Sequence, residues 1–466
     1  MARLRGFNSR PRSSAVRSAF LALTCALIAP PSVAASRAQI VPAVANAALS
    51  QLNSKAAKAL SIAVVLGDKI VGSETFGDAD AATAFSVGSV SKMFTAVSIL
   101  QLVQAGKIAL DGVAAKYLPQ YPSLRDITIR QLLSHTSGLP NYADDAIATG
   151  AAMQKTTPAD IISSMLARPP DFAPGSDWSY SNTGYVVLGQ IVENVSGMPL
   201  AQYESEHIFG TVGMEHTFVA PALAKDVAGP FDGDPGDWTW YYACGDVFST
   251  ADDLARFDIA LMRGELLRPK TFATMQQTVP FTTFAPGMRD GLGVFVSTVG
   301  DVFEVGHHGG EPGYRADNEM VPELGFAVAV VGNGNYNTAA IVAQALHEYL
   351  GANLQAPLPA GAYVDGAPAV TERLKALLID LGSGRDDRSQ MEILAAIGVP
   401  GIVDQMRANG PVTSVRFLSK LYTSSGVLYR YEVLFRASRA VLTAVIDKSD
   451  KLAQLQMLTL PSRAPN

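Results

Sequence analysis

Residues 85–106 read FSVGSVSKMFTAVSILQLVQAG, and this stretch decides the fold prediction. From Val90 onward the apolar side chains recur every three or four residues, which is typical of an α-helix, and Gly106 is suited to cap its C-terminus. Because the helix is apolar on nearly every side, we predict that it is buried in the centre of a domain. Ser89 then lies at the N-terminus of this helix, with Lys92 one turn later on the same face.

A serine and a lysine at this spacing can act as a nucleophile and its base. A serine hydroxyl is a weak nucleophile until a neighbouring base accepts its proton. Burial disfavours the lysine ammonium, so Lys92 in a dry site can accept the proton of Ser89. The helix N-terminus also offers a backbone N–H to a developing oxyanion. The alternative for this short pattern is a serine N-cap followed by a surface lysine.

A second element is WSYSN at residues 178–182. Tyr180 and Asn182 alternate with Ser181, so we expect their side chains to project to one side. A tyrosine beside a lysine ammonium is expected to lose its proton more readily and to serve as general base and acid. The amide of Asn182 can hold a substrate carbonyl or orient the lysine. The alternative is an ordinary loop before a helix, with Asn182 as the N-cap.

The third element is VGHHGGEPGY at residues 305–314. Glycines after a histidine allow a strand edge to run close against a ligand. The backbone N–H of Gly310 is then a second oxyanion donor, and His307 is the polar group at the strand edge. The alternative is that His307 and His308 form half of a metal site, but the other four histidines lack metal-ligand spacing. We therefore predict no metal and no cofactor.

In this order, Ser-x-x-Lys, Tyr-x-Asn and a basic-residue-x-Gly triplet resemble the three motifs of serine β-lactamases and penicillin-binding proteins. The surrounding phrases are similar to those of class C β-lactamases, D-alanyl-D-alanine carboxypeptidases and the related esterases and D-amino-acid amidases. The resemblance covers about residues 45–350. The phrases are ITIRQLLSHTSGLP (127–140), FAPGSDWSYSNTGY (172–185), FSTADDLARF (248–257) and GHHGGEPGY (306–314).

The resemblance implies an α+β, β-lactamase/transpeptidase-like fold, in which an antiparallel sheet is flanked by helices and the site lies between it and an all-helical lobe. It also implies a role for each matching residue. Ser89 is the acylated nucleophile, Lys92 its activating partner and Tyr180 the proton carrier; Asn182, His307 and Gly309 bind substrate, and the N–H groups of Ser89 and Gly310 form the oxyanion hole. We interpret Ser134, His135 and Ser137, in the shared stretch, as structural.

The third motif departs from the β-lactamase form. Class C β-lactamases carry a lysine where this chain has His307, and that lysine helps to hold the β-lactam carboxylate. Histidine at this position resembles the family's esterases, peptidases and amidases. We therefore predict a serine hydrolase that cleaves ester or amide bonds, including D-amino-acid peptide or β-lactam-type bonds, through an acyl-enzyme. The alternatives are a true β-lactamase and a non-catalytic penicillin-binding-type receptor. An α/β-hydrolase is disfavoured because the chain contains no Gly-x-Ser-x-Gly.

The N-terminus is typical of a secretory signal. Residues 1–38 carry six arginines and no acidic residue, with an apolar run from Ala19 to Ala29 that is too short to span a bilayer. Small residues then favour cleavage after Ala34 or Ala38. We predict a signal peptide over residues 1–34 and a periplasmic location.

Composition limits the partners. The chain has 466 residues, of which 48% are hydrophobic, and a formal net charge of −6. This composition allows a large core and argues against nucleic acid as a partner. We expect a small ester, amide or peptide substrate and no membrane span.

Three segments follow the predicted signal peptide. We predict a hydrolase domain over residues 39–352, a linker rich in Pro, Ala and Gly over 353–370, and a small α+β domain over 371–466. In the last of these, helical spacing precedes four strand-like segments with short polar connections, which favours an antiparallel meander. These segments are Ser414–Thr423, Val427–Arg436, Ala440–Asp447 and Leu452–Leu460.

Overall fold

The structure is a computed structural model that describes most of the chain between Val33 and Leu460. The predicted signal peptide as far as Ser32 and most of the predicted linker lie outside the described residues. Helix α1 (Val33–Asn53) runs through both predicted cleavage positions, so the cleavage position stays a prediction. The described residues are 33–149, 151–220, 226–281, 283, 288–299, 302–339, 341–343, 345, 368–382, 406, 409–423, 426–436, 438–447 and 449–460.

A seven-stranded antiparallel sheet forms the centre of the first part of the chain, in the order β2-β1-β10-β9-β8-β7-β6. A three-stranded sheet has the strand order β3-β5-β4, and strands β11 to β14 form a third, separate sheet. The strands are β1 (Ala57–Leu66), β2 (Lys69–Gly77), β3 (Phe85–Ser86), β4 (Phe218–Val219), β5 (Val247–Ser249), β6 (Arg289–Asp290), β7 (Phe295–Val299), β8 (Val302–Glu311), β9 (Tyr314–Val321), β10 (Phe326–Gly334), β11 (Val412–Thr423), β12 (Gly426–Phe435), β13 (Arg439–Asp447) and β14 (Leu452–Leu460).

Helices pack on both faces of the central sheet. Successive side chains of a strand point to opposite faces, so the apolar strand β1 serves two cores. Ile62 and Val64 share one core with Val44 of α1, whereas Ala63 shares the other with Leu254 of α9. The further helices are α2 (Ser91–Gln104), α3 (Ile129–Leu133), α4 (Tyr142–Thr149), α5 (Pro158–Leu166), α6 (Asn182–Ser196), α7 (Leu200–Glu204), α8 (Gly210–Val212), α9 (Ala251–Arg263), α10 (Pro269–Met275) and α11 (Pro368–Gly382).

Helix α2 confirms the prediction from which the sequence analysis began. Every residue from Ser91 to Leu100 is buried, because the helix lies inside the larger of the two cores. Elements α2 to α8 follow one another with no strand among the described residues between them, which confirms the helical lobe. Within the described residues, no helix is both long enough and apolar enough to cross a membrane.

The C-terminal strands form the predicted meander. Strands β11, β12, β13 and β14 are hydrogen-bonded antiparallel in chain order. Leu374 and Leu378 of α11 belong to one core with Tyr431 and Leu442 of the sheet, so this part has a core of its own. Helix α11 begins at Pro368, within the predicted linker, and the exact domain boundaries stay predictions.

Candidate active site

The turn that carries Ser89 is held between two sheets. The backbone N–H of Val87 donates to the Val247 carbonyl at 3.0 Å, which ties the start of the turn to β5. Gly88 has φ of +50°, and a Cβ at this position would lie 2.8 Å from the Gly310 nitrogen of β8. Glycine is required here because both the conformation and the approach of the two backbones exclude a side chain.

Lys92 lies directly behind the hydroxyl of Ser89. Its side chain is 0% exposed, and its Nζ donates to Ser89 Oγ at 3.1 Å and to the Cys244 carbonyl at 2.7 Å. Burial lowers the pKa of Lys92 to about 8, although Cys244, Glu311 and Asp246 nearby favour the ammonium. A lysine with this pKa is neutral in a useful fraction of molecules near neutral pH, so it can accept the proton of Ser89.

The pH dependence of hydrolysis should report this lysine. The neutral form must be present for proton transfer, and the folded pKa of Lys92 is about 8. We expect kcat/KM for p-nitrophenyl butyrate to be constant well above pH 8 and to fall as the pH drops through 8. The fall should approach about tenfold per pH unit. The measurement is a rate profile from pH 5.5 to 9.5, corrected for hydrolysis without enzyme. A flat profile between pH 6 and 9 would contradict the assignment of Lys92 as the base.

Tyr180 is close to both Lys92 and His135. Lys92 Nζ is 4.9 Å from the centre of the Tyr180 ring, and the centre of the His135 ring is 4.3 Å from it. Burial raises the pKa of Tyr180 well above its usual value, and a hydrogen bond with Ser89 opposes this effect. The expectation that the lysine lowers this pKa is therefore wrong for the resting site, because loss of hydration dominates. Tyr180 is therefore protonated in the resting site, and its role as proton carrier stays a prediction.

Asn182 is the first residue of α6, and the N-cap is Ser181, whose hydroxyl accepts from the Gly184 N–H at 3.4 Å. The alternative in which Asn182 caps the helix is therefore wrong. His135 has φ of +55° and its Nδ1 accepts from the Ser181 N–H at 3.2 Å, so it fixes the segment that carries Tyr180. This contact supports the interpretation of His135 as structural.

His307 is buried at the sheet edge. It is 3% exposed, and its ring centre lies 4.7 Å from that of Phe295 and 6.2 Å from that of Tyr180. Burial and the charge of Lys92 lower the pKa of His307 well below its usual value, so the ring is neutral. The predicted basic group of the third motif therefore carries no charge. The ring of His307 lies near that of Tyr180. Its direct contact with substrate stays a prediction.

Gly309 brings strand β8 against the turn of Ser89. A Cβ on Gly309 would lie 1.9 Å from the Val87 oxygen and 3.3 Å from the Ser89 nitrogen. We expect Gly309→Ala to separate the two predicted oxyanion donors and to lower kcat by about 10²-fold, while KM changes less. Gly229→Ala is the matched control, because a Cβ there meets nothing within 4 Å. Wild-type kcat in Gly309→Ala would show that the close approach is not needed.

A cavity of about 290 Å³ opens in front of these residues. Its walls include the predicted Ser89, Tyr180, Asn182 and Gly310, whereas His307, Gly309 and Lys92 are not among the described residues that line it. Four of the predicted site residues therefore line this cavity together, and the other three do not line it. The sequence analysis did not predict the other wall residues Asn141, Tyr142, Asp144, Trp240, Tyr241 and Glu311. Two of the wall residues had a signal: Glu311 directly follows Gly310 in the third motif, and the family resemblance places Cys244 near the cleft, where we expected a buried small side chain.

His308 is not among the described residues that line this cavity. It pairs with Asp317 across the antiparallel strands, and its Nδ1 lies 3.2 Å from Asp317 Oδ1 and 3.5 Å from Glu319 Oε1. The three side chains are close enough to hold a cation. The sequence analysis compared histidine spacing along the chain, so it could not see two carboxylates on the neighbouring strand. The prediction of a metal-free protein stays a prediction.

The fold and this site define a class: proteins of the serine β-lactamase and penicillin-binding type, with Ser-x-x-Lys at the start of a buried helix beside an antiparallel sheet. The sequence model of the family described as "Beta-lactamase" matches residues 44–351, which is more than half of the chain. This protein belongs to that family, and its relatives here include an esterase, a protein named "Putative D-alanyl-D-alanine carboxypeptidase", a D-aminopeptidase and penicillin-binding proteins.

Individual relatives support the same family assignment. Penicillin-binding protein 4* of Bacillus subtilis is 37% identical over 137 residues, which cover 29% of this chain and 30% of that protein. Esterase EstB of Burkholderia gladioli is 32% identical over 169 residues, covering 33% of this chain and 43% of the esterase. The chain thus covers less than half the length of either relative. A D-stereospecific amidohydrolase from Streptomyces sp. has a similar structure, with a TM-score of 0.56, 26% identity and coverage of 67% of this chain and 98% of that one.

Proposed function

We propose that this protein is a serine hydrolase that cleaves small esters and amides through an acyl-enzyme on Ser89. One observation carries the proposal: Lys92 Nζ lies 3.1 Å from Ser89 Oγ in a fully buried position, where its pKa is about 8. A buried lysine poised to release its proton, next to a serine at a cavity wall, matches the needs of a nucleophile and its base.

Acylation follows from the arrangement of these groups. Neutral Lys92 accepts the proton of Ser89 as Oγ attacks the substrate carbonyl carbon. The oxyanion that forms lies between the backbone N–H groups of Ser89 and Gly310, which the contact of Gly88 with β8 holds side by side. Protonated Tyr180 donates its proton to the leaving group and is reprotonated from Lys92, which returns the base to its neutral form.

Deacylation repeats these steps with water as the nucleophile. Water attacks the acyl carbonyl, its proton passes to neutral Lys92, and the same two N–H groups stabilise the second oxyanion. The acid then leaves and Ser89 regains its proton. Asn182, on the cavity wall, is suited to hold the acyl group of the substrate by its amide.

The charges around the cavity favour substrates without a carboxylate. Its described walls contain Asp144 and Glu311 and no lysine or arginine, and His307 behind the wall is neutral. A β-lactam or a peptide ending in D-alanine brings a carboxylate for which the described walls offer no lysine or arginine as a partner. The esterase and amidohydrolase relatives support the same order of preference.

Three substrates test the proposal on the purified protein: p-nitrophenyl butyrate, nitrocefin and a peptide ending in D-Ala-D-Ala. We expect turnover of the ester and, by intact-mass measurement, transient addition of the acyl group to a peptide containing Ser89. Rapid turnover of nitrocefin in preference to the ester would favour a β-lactamase. Stable stoichiometric labelling by nitrocefin without turnover of any substrate would favour a receptor.

We also propose that the protein is exported. The arginine-rich start, the apolar run Ala19–Ala29 and the small residues that follow support this proposal. N-terminal sequencing of the protein from the periplasmic fraction should give a chain that begins at Ala35 or Gln39. Recovery of the protein from the cytosol with its first 34 residues intact would contradict it.

A further inference from the structure

We propose that Glu311 forms an ammonium-binding subsite, so that the preferred substrates are esters or amides with a positively charged amine close to the scissile carbonyl. This inference rests on the proposed function, because it assigns the substrate class of the same site.

The position of Glu311 supports this assignment. It is the last residue of β8 and directly follows Gly310, whose N–H is a predicted oxyanion donor. Its side chain lines the same cavity as Ser89. One residue of a strand rises about 3.3 Å, so a carboxylate here is within reach of an amine on the carbon next to the scissile carbonyl.

The surroundings of Glu311 leave room for its carboxylate in the cavity. Gly245 faces it, and a Cβ on Gly245 would lie 2.8 Å from Glu311 Oε1. Tyr241, also a cavity wall, is within hydrogen-bonding reach of the carboxyl group. Because Gly245 has no side chain, there is space for the carboxyl group of Glu311 beside the ring of Tyr241. Aromatic rings also attract cations.

Glu311 forms no direct ion pair among the described residues, although the charges of Lys92 and Arg315 act on its carboxyl group. The guanidinium of Arg315 donates to the carbonyls of Glu311 and Tyr314 at 2.9 and 2.7 Å and to Asn335 at 3.2 Å. Lys92 donates to Ser89 and to Cys244. Burial raises the pKa of Glu311 to about 8, although the charges of Lys92 and Arg315 and a hydrogen bond with Tyr241 oppose this effect. An ammonium group on the substrate, bound in the cavity that Glu311 lines, would favour the charged carboxylate directly.

A matched pair of substrates tests the subsite. Phenylalanine methyl ester, as each enantiomer, and the methyl ester of 3-phenylpropanoic acid differ by one ammonium group. For the wild type we expect kcat/KM to be about 10 to 100 times higher for at least one amino ester, mainly through KM. In Glu311→Gln this ratio of amino ester to neutral ester should fall by about 10 to 100 times. Glu323→Gln removes a negative charge from an exposed position and should leave the ratio unchanged.

Each other outcome overturns the inference in a distinguishable way. A wild type that hydrolyses the esters and is acylated on Ser89, but shows no preference for the amine, overturns the subsite and leaves the proposed function standing. An unchanged ratio in Glu311→Gln does the same, since a purely structural role would lower both rates together. A wild type that hydrolyses neither ester and is not acylated overturns the proposed function, and the subsite with it. The wild-type comparison stands even if Glu311→Gln fails to fold.

Discussion

Replacing Ser89 by alanine is expected to lower kcat for p-nitrophenyl butyrate by at least about 10⁴-fold and to abolish acyl-enzyme formation. The reason is that Ser89 Oγ forms the covalent bond in the proposed mechanism, and loss of a nucleophile removes almost all of the rate that its base contributes. Lys92 would keep its contact with the Cys244 carbonyl, so the fold should persist. The measurement is steady-state hydrolysis with intact-mass analysis of the quenched reaction.

Ser98→Ala is the matched control for this variant. Ser98 lies on the same helix, is buried, and its hydroxyl donates to the Phe94 carbonyl at 3.0 Å. Its loss should leave kcat within about threefold of wild type, because the hydroxyl bonds only to its own helix among the described residues. If Ser89→Ala keeps more than a tenth of the wild-type rate, Ser89 is not the nucleophile.

Lys92→Met should lower kcat/KM by about 10³-fold or more and remove the fall in activity as the pH drops through 8. Methionine fills a similar volume without a base, so the proton of Ser89 has no acceptor at 3.1 Å. The measurement is the pH profile of the residual rate at high enzyme concentration. The thermal unfolding midpoint of the variant shows whether the fold survives.

Lys107→Met is the control, because Lys107 is exposed just after the end of α2. It should keep the wild-type rate and pH profile. A Lys92→Met protein whose activity still falls as the pH drops through 8 would assign that fall to another group and would leave Lys92 without a catalytic role.

Much of this fold could be predicted because its signals are local. The apolar spacing after Val90 predicted a buried helix, and α2 is buried as expected. Ser89 and Lys92 are one helical turn apart, so their contact follows from helix geometry alone. The strands β11 to β14 were predicted to within two residues at each end, since alternating patterns and short polar connections mark such strands.

Features that depend on distant parts of the chain could not be predicted. The raised pKa of Tyr180 follows from burial among its neighbours, which the five-residue motif does not reveal. The cavity walls at Asn141 and Trp240 come from a loop and a short 3₁₀ helix that no motif connects. His308 meets Asp317 only because β8 and β9 pair in one particular register. A prediction of these features requires the tertiary structure.

The contact between Gly88 and Gly310 has a consequence for how the protein acquires activity. It joins residues separated by more than two hundred positions in the chain. Helix geometry alone can place Ser89 beside Lys92, whereas the predicted second oxyanion donor reaches Ser89 only when the distant strand β8 packs against this turn, and contacts between distant parts of a chain form more slowly than local ones. Hydrolysis is therefore expected only from the complete tertiary structure. In a partly folded chain, the nucleophile would lack the second N–H donor for the oxyanion.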